Sequence, residues 1–141
     1  YKQDWGGYYR QGGLLIADRY TTSNAVHQTS KLPPEERDAF LDWLFHFEYR
    51  LLGLPEPSRV LYLDMPTEAT ERMMRQREAA THTSADIHEK DEEYLRRCRE
   101  NAAYVVERCG WTRIDCARGD TPRTIEDIHN EVMARVADLI G

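Results

Sequence analysis

The chain has 141 residues, 40% of them hydrophobic and 31% charged, with a formal net charge of −6. That length and composition fit one ordinary globular domain. The acidic balance argues against a general nucleic-acid binder, which carries a basic field, and no apolar run reaches the length of a membrane span.

Taken in chain order, residues 1–11 read as the tail of a helix closed by the pairs Gly6-Gly7 and Gly12-Gly13. The chain opens on Tyr1, with no leader, no methionine and no capping residue, as the middle of a longer protein does. Leu14 to Asp18 is a short apolar run ending in charge, the pattern of a buried parallel strand opening into a loop. A helix carrying Ser23 and Asn24 follows. The next helix begins after Leu32, where Pro33 and Pro34 suit a first turn and Glu35 and Glu36 complement the dipole. Its apolar positions (Phe40, Leu41, Trp43, Leu44, Phe45, Phe47, Leu51, Leu52) cover more than one stripe, so it is buried on two sides, the second a candidate subunit interface. Gly53, Pro55 and Pro57 end it.

Arg59 to Asp64 is the second expected strand, and Pro66 opens a third helix with Arg72, Arg75 and Arg77 late. Ala79 to Asp86 has no periodicity and reads as a mobile loop. A long helix from Ile87 to Cys109 buries Ile87, Tyr94, Leu95, Cys98, Ala102, Val105 and Cys109, and Gly110 caps it. Trp111 to Cys116 is the third strand. Thr121-Pro122 starts the last helix, whose buried face is Ile125, Ile128, Val132, Val136 and Leu139. Strands alternating with helices make this an α/β chain with a mostly parallel sheet flanked by helices, three strands and about five helices being visible. The three cysteines, Cys98, Cys109 and Cys116, are odd in number and form no C-x-x-C pair. They read as reduced core thiols of a cytosolic protein.

Ligands in open α/β sheets bind at the carboxyl ends of strands. Asp18 and Arg19 therefore stand where a substrate is held. The arginine fork suits a phosphate monoester. Asp18 suits either that fork or the water shell of a magnesium ion, and Asn24 offers both a donor and an acceptor to a pyrimidine edge. A salt-bridged loop, with Asp18 paired to Arg19 and Thr22 or Ser23 capping the helix, accounts for the same residue types. Arg72 and Arg75 share a helix face. With Arg77 they suit a lid that neutralises a moving phosphoryl group and excludes water, or simply a solvated basic helix end. His82 and His88, six apart, are poorly spaced for two helical metal ligands.

The run Asp18-Arg19-Tyr20-Thr21-Thr22-Ser23-Asn24-Ala25-Val26-His27, continuing through Gln28, resembles the Asp-Arg-Tyr signature of thymidylate kinases. The arginine-bearing stretch at 72–86 resembles the lid of that family, and Asp86-Ile87-His88-Glu89 its acidic lid exit. The resemblance implies a P-loop NTPase-like sheet of the nucleoside monophosphate kinase fold. Residues 1–141 would be one domain, its C-terminal part, with a lid at 66–89. It implies transfer of the ATP γ-phosphoryl to dTMP, giving dTDP for dTTP synthesis, in a cytoplasmic homodimer that uses magnesium with ATP. It gives Arg19 the dTMP phosphate, Asp18 a place beside the metal and phosphates, and Asn24 the thymine. Tyr20, Ser23 and Gln28 complete the substrate side, and His27 stands where many members have a tyrosine near the deoxyribose. Arg72 would lie against adenine or its phosphates, and Arg75 or Arg77 would reach the transferred phosphoryl. Glu89 would close the lid, and Asp115 to Thr121, with Arg118, would close on adenine. The 141 residues contain no G-x-x-x-x-G-K-[ST] phosphate loop. In the family that loop lies upstream, as does the substrate-binding arginine helix, and its first strand lies between the two strands expected here at 14–18 and 59–64. The chain is therefore expected to be a C-terminal fragment, inactive alone. A related nucleoside or deoxynucleoside monophosphate kinase and a non-enzymatic helical module pairing through Trp43, Phe45 and Phe47 are the alternatives.

Overall fold

The computed structural model describes residues 2–70, 72–73, 89–119 and 121–140. Helix α1 (Lys2–Arg10) ends at Gly12, whose φ of +84° closes the turn that returns the Gly13 amide to the Tyr8 carbonyl. Helices α2 (Thr22–Thr29) and α3 (Pro34–Phe45) follow, with Pro34 in the first turn of α3 as its sequence suggests. The α3 chain runs on into a π-helical turn, His46–Leu51. After strand β1 (Leu61–Asp64), residues 67–70 and 72–73 are helical. Helix α4 (Glu89–Arg108) ends at Gly110, φ +65°. Strand β2 (Thr112–Asp115), the two-residue strands β3 (Ala117–Arg118) and β4 (Thr121–Pro122), and helix α5 (Ile125–Ile140) complete the chain.

β1 and β2 pair in parallel, Leu61 opposite Thr112 and Asp64 opposite Asp115. This is the strand pair expected at 59–64 and 111–116, shorter at its ends. α4 supplies the crossover, as a parallel connection requires. The helical core lies where α2 wedges between α3 and α4: Ala25, Leu41, Leu44 and Val105 are buried, with Phe40, Phe45, Tyr104 and Trp111 packed around them. Cys98, Ala102 and Val105 are buried along the α4 stripe as expected. Two polar residues staple α2 to α4. The Asn101 carboxamide donates both to the Thr29 hydroxyl (2.6 Å) and to the Val26 carbonyl (2.8 Å), Asn101 and Thr29 being buried. At the carboxyl end of β1, Asp64 is buried and accepts from Arg99 of α4 (3.0 Å) and from Arg113 of β2 (2.6 Å), tying helix to sheet. The three cysteines are free thiols.

Three expectations are corrected. Residues 14–17 form no strand: among the described residues their backbone has no ladder partner, and Leu14, Leu15 and Ile16 are exposed, Ile16 to 92%. An apolar run supplies strand propensity, but a strand exists only by pairing. The last helix starts at Ile125 rather than at Thr121-Pro122. That dipeptide folds back as β4 against β3, and Thr124 caps α5 by accepting the Asp127 amide (3.1 Å). Finally, the face of α5 expected to be buried is only partly covered. Ile128, Val132, Val136 and Leu139 are half-buried and Ile125 is exposed. The second apolar side of the 34–52 segment does lie open: Trp43 and Phe47 stack at 5.4 Å on its exposed surface. The loop expected at 79–86 lies outside the described residues.

Candidate functional site

The Asp18–His27 run is shaped by contacts from the segment after α3. The Tyr20 hydroxyl donates to the Pro55 carbonyl (3.0 Å), and the Thr21 hydroxyl meets the Tyr49 hydroxyl (3.2 Å). These two clamps set the entry to α2. Between the 14–17 run and the helix the chain bends at residues 18–19, with Arg19 at φ +67°. It is the one non-glycine residue with positive φ among those described. An arginine held left-handed is strained, and such strain persists where surrounding contacts over-determine it, often at ligand sites. Asp18 and Arg19 are both exposed, and no ion pair joins them among the described residues. No side-chain cap hydrogen bond forms at the start of α2 either, since the Thr21 hydroxyl is turned to Tyr49. The salt-bridged, capped loop is thus not what this sequence forms.

The turn borders a cleft of about 1410 Å³, whose inner part between 14–18 and 59–63 is the interval that the resemblance gives to the family's first strand. One wall is the 14–20 run with Ser23 and His27 of α2. The other is the 55–63 stretch leading into β1, and Cys98 and Arg99 of α4 also line it. The structure therefore brings Asp18, Arg19, Tyr20, Ser23 and His27 together on one rim. His27 lies parallel to Tyr94, with Nδ1 3.4 Å from the Tyr94 hydroxyl and 3.8 Å from the Cys98 thiol. Burial, then the positive charges of Arg19 and Lys31, push its pKa below the ordinary histidine value, so the ring is disposed to be neutral. Asn24 and Gln28 lie one turn apart on the exposed side of α2, outside the cleft lining. The Asn24 carboxamide donates to Glu48 Oε1 (2.9 Å).

The remaining expected site residues are more distant in the chain. Arg72 is exposed on the helical stretch after β1. Arg118, in the β3–β4 ribbon, is 3.3 Å from Asp127. Glu89 is the first residue of α4. Arg75 and Arg77 lie outside the described residues. Sequence reasoning missed Glu48 and Arg99. A signal existed for Glu48, a lone acid at helical spacing from Leu41 and Leu44 on the buried face; Arg99 carried none.

A family model described as thymidylate kinase matches residues 7–132 of the chain. The chain belongs to the thymidylate kinase family. It is also similar to a curated protein of Aeropyrum pernix named "Putative thymidylate kinase", at 27% identity over 133 residues, covering 91% of this chain and 56% of that protein. The chain thus spans little more than half the length of this relative. No solved structure matches it. Membership accords with the small parallel sheet flanked by helices. No described helix is long and apolar enough to cross a membrane.

Proposed function

We propose that this chain forms the dTMP side and lid of an enzyme that transfers the γ-phosphoryl of ATP to dTMP, giving dTDP and ADP in the cytoplasm. The observation that carries the reading is Arg19, held at φ +67° on the cleft rim beside Asp18, Ser23 and His27. An arginine fork at that place suits two oxygens of a phosphate monoester. In the reaction an oxygen of that phosphate attacks the γ-phosphorus while the bond to the ADP oxygen breaks. Positioning and charge neutralisation do most of the work.

Arg19 holds the acceptor phosphate, Tyr20 and Ser23 shape its surroundings and His27 faces the sugar, while Asn24 with Gln28, on the exposed side of α2 beyond the cleft lining, is assigned to the base. Arg75 and Arg77 are assigned to the moving phosphoryl, Glu89 to lid closure, and Arg72 and Arg118 to the ATP side. Magnesium, were it to bind with ATP, would supply positive charge that neutralises the phosphates. Asp18 fits it, being an exposed carboxylate with no ion-pair partner among the described residues, because magnesium keeps several waters and takes one or two carboxylates besides the phosphates. The 141 residues hold no phosphate loop, so the chain alone is expected to bind dTMP but not to turn over ATP. The open Trp43–Phe47 stack supports homodimerisation through α3.

The test is a dTMP titration of the chain and of Arg19→Ala, followed by calorimetry. Saturable binding that the substitution abolishes supports the reading. Unchanged binding in the variant refutes it and favours the interaction module. Tighter binding of another monophosphate than of dTMP moves the substrate to a related kinase.

A further inference from the structure

Glu48 is unexplained by packing. It is 5% exposed, on the same face as the buried Leu41 and Leu44, within the π-helical turn. Its Oε1 accepts from Asn24, while Oε2 is buried with no hydrogen-bond partner. No arginine or lysine forms an ion pair with it among the described residues. Burying a carboxylate this way is costly, and a leucine or glutamine would fill the space without that cost. π-helical turns recur at functional sites.

We propose that Glu48 is a positioning residue which fixes the orientation of the Asn24 carboxamide and so selects an imide base, thymine or uracil, over cytosine. This rests on the reading that Asn24 meets the base. A carboxylate only accepts, so the amide must turn Nδ2 towards Glu48. Asn24 Oδ1 and the second N–H of Nδ2 are then left, in a fixed order, on the exposed side of α2. Thymine presents an N3–H donor beside a carbonyl acceptor and matches that order. Cytosine presents a ring-nitrogen acceptor beside an amino donor, the reverse. To receive cytosine the amide must rotate by half a turn, which sets Asn24 Oδ1 against Glu48 Oε1, acceptor against acceptor. The selectivity therefore resides in a residue that touches no ligand. Glu48→Gln removes it, because glutamine can accept from Nδ2 or donate to Oδ1 and so serves either amide orientation.

The experiment measures dTMP and dCMP binding to the full chain, to Glu48→Gln, to Asn24→Ala and to the double variant. Glu48→Gln is expected to melt no lower than the parent. It should reduce the dTMP-to-dCMP affinity ratio about tenfold, through tighter dCMP binding rather than equal weakening of both. In the Asn24→Ala background the same change should leave the ratio where it is. A merely structural role would weaken both ligands together. An unchanged ratio in Glu48→Gln overturns the proposal. If that variant does not fold, the parent chain still decides: N3-methyl-dTMP, which lacks the donor, should bind at least about tenfold more weakly than dTMP, and equal binding overturns the proposal. Should the parent bind no monophosphate, this inference falls with the function it rests on. Should Arg19→Ala abolish dTMP binding while Glu48→Gln keeps the ratio, only the role of Glu48 falls.

Discussion

Replacing Arg19 by glycine should stabilise the fold while destroying its ligand site. Left-handed backbone costs an L-residue about 1–2 kcal/mol, and Arg19 sits at φ +67°. Glycine relieves that cost but loses about 0.5–1 kcal/mol of backbone freedom on folding. The comparison that isolates the backbone is Arg19→Gly against Arg19→Ala, because both lack the guanidinium and only alanine keeps the strain. Since the Arg19 side chain is exposed, its removal adds little in either variant. Glycine should therefore exceed alanine by about 0.5–1 kcal/mol, or about 2–4 °C in Tm for a chain of this length. Circular dichroism melts and urea titrations at one pH give both midpoints, and calorimetry should show dTMP binding lost from both variants. Coincident midpoints, or a higher one for alanine, would refute the claim that the clamped turn forces Arg19 left-handed.

Other substitutions probe the supports of the site. Asp64→Ala leaves Arg99 and Arg113 without their shared carboxylate; because those arginines are 39% and 49% exposed and can hydrate, the loss should be about 2 kcal/mol rather than the 3–5 of a fully buried pair, and a change in urea midpoint worth under about 0.5 kcal/mol contradicts the account. Thr124→Ala removes the cap of α5 and should cost about 1 kcal/mol, whereas Thr121→Ala should cost less, since Thr121 begins no helix. The folded state holds the His27 pKa below its ordinary value, so the unfolded chain takes up that proton first. The stability His27 contributes is then complete above about pH 6.5 and is lost as pH falls through the folded value. His27→Gln should flatten the stability–pH curve below about pH 6.5 and leave it unchanged above; an equal slope in parent and variant counts against it.

What the sequence disclosed followed from how local each feature is. The α3 start at Pro34, the α4 stripe of Cys98, Ala102 and Val105, and the β1–β2 pair all rest on nearby residues or on strong periodicity. The 14–17 run misled because pairing is a property of two segments, and its own residues report only propensity. Thr121-Pro122 misled because a cap followed by proline also suits a tight two-strand ribbon, and Thr124, three residues on, is an equally good cap. In the site, the Asp18–Gln28 run was legible as a string. Its strained Arg19 backbone and the clamps from Tyr49 and Pro55 were not, since they come from contacts across some 30 residues of chain.

The uncovered Leu14–Ala17 run also governs how the protein behaves in a tube. It presents unpaired backbone and the large apolar side chains of Leu14, Leu15 and Ile16 to solvent, a surface on which strands of different molecules can add to one another. What holds molecules apart is the net charge of −6. Acidification neutralises the carboxylates that supply it, so colloidal stability should fail on the acid side well before the helical core unfolds.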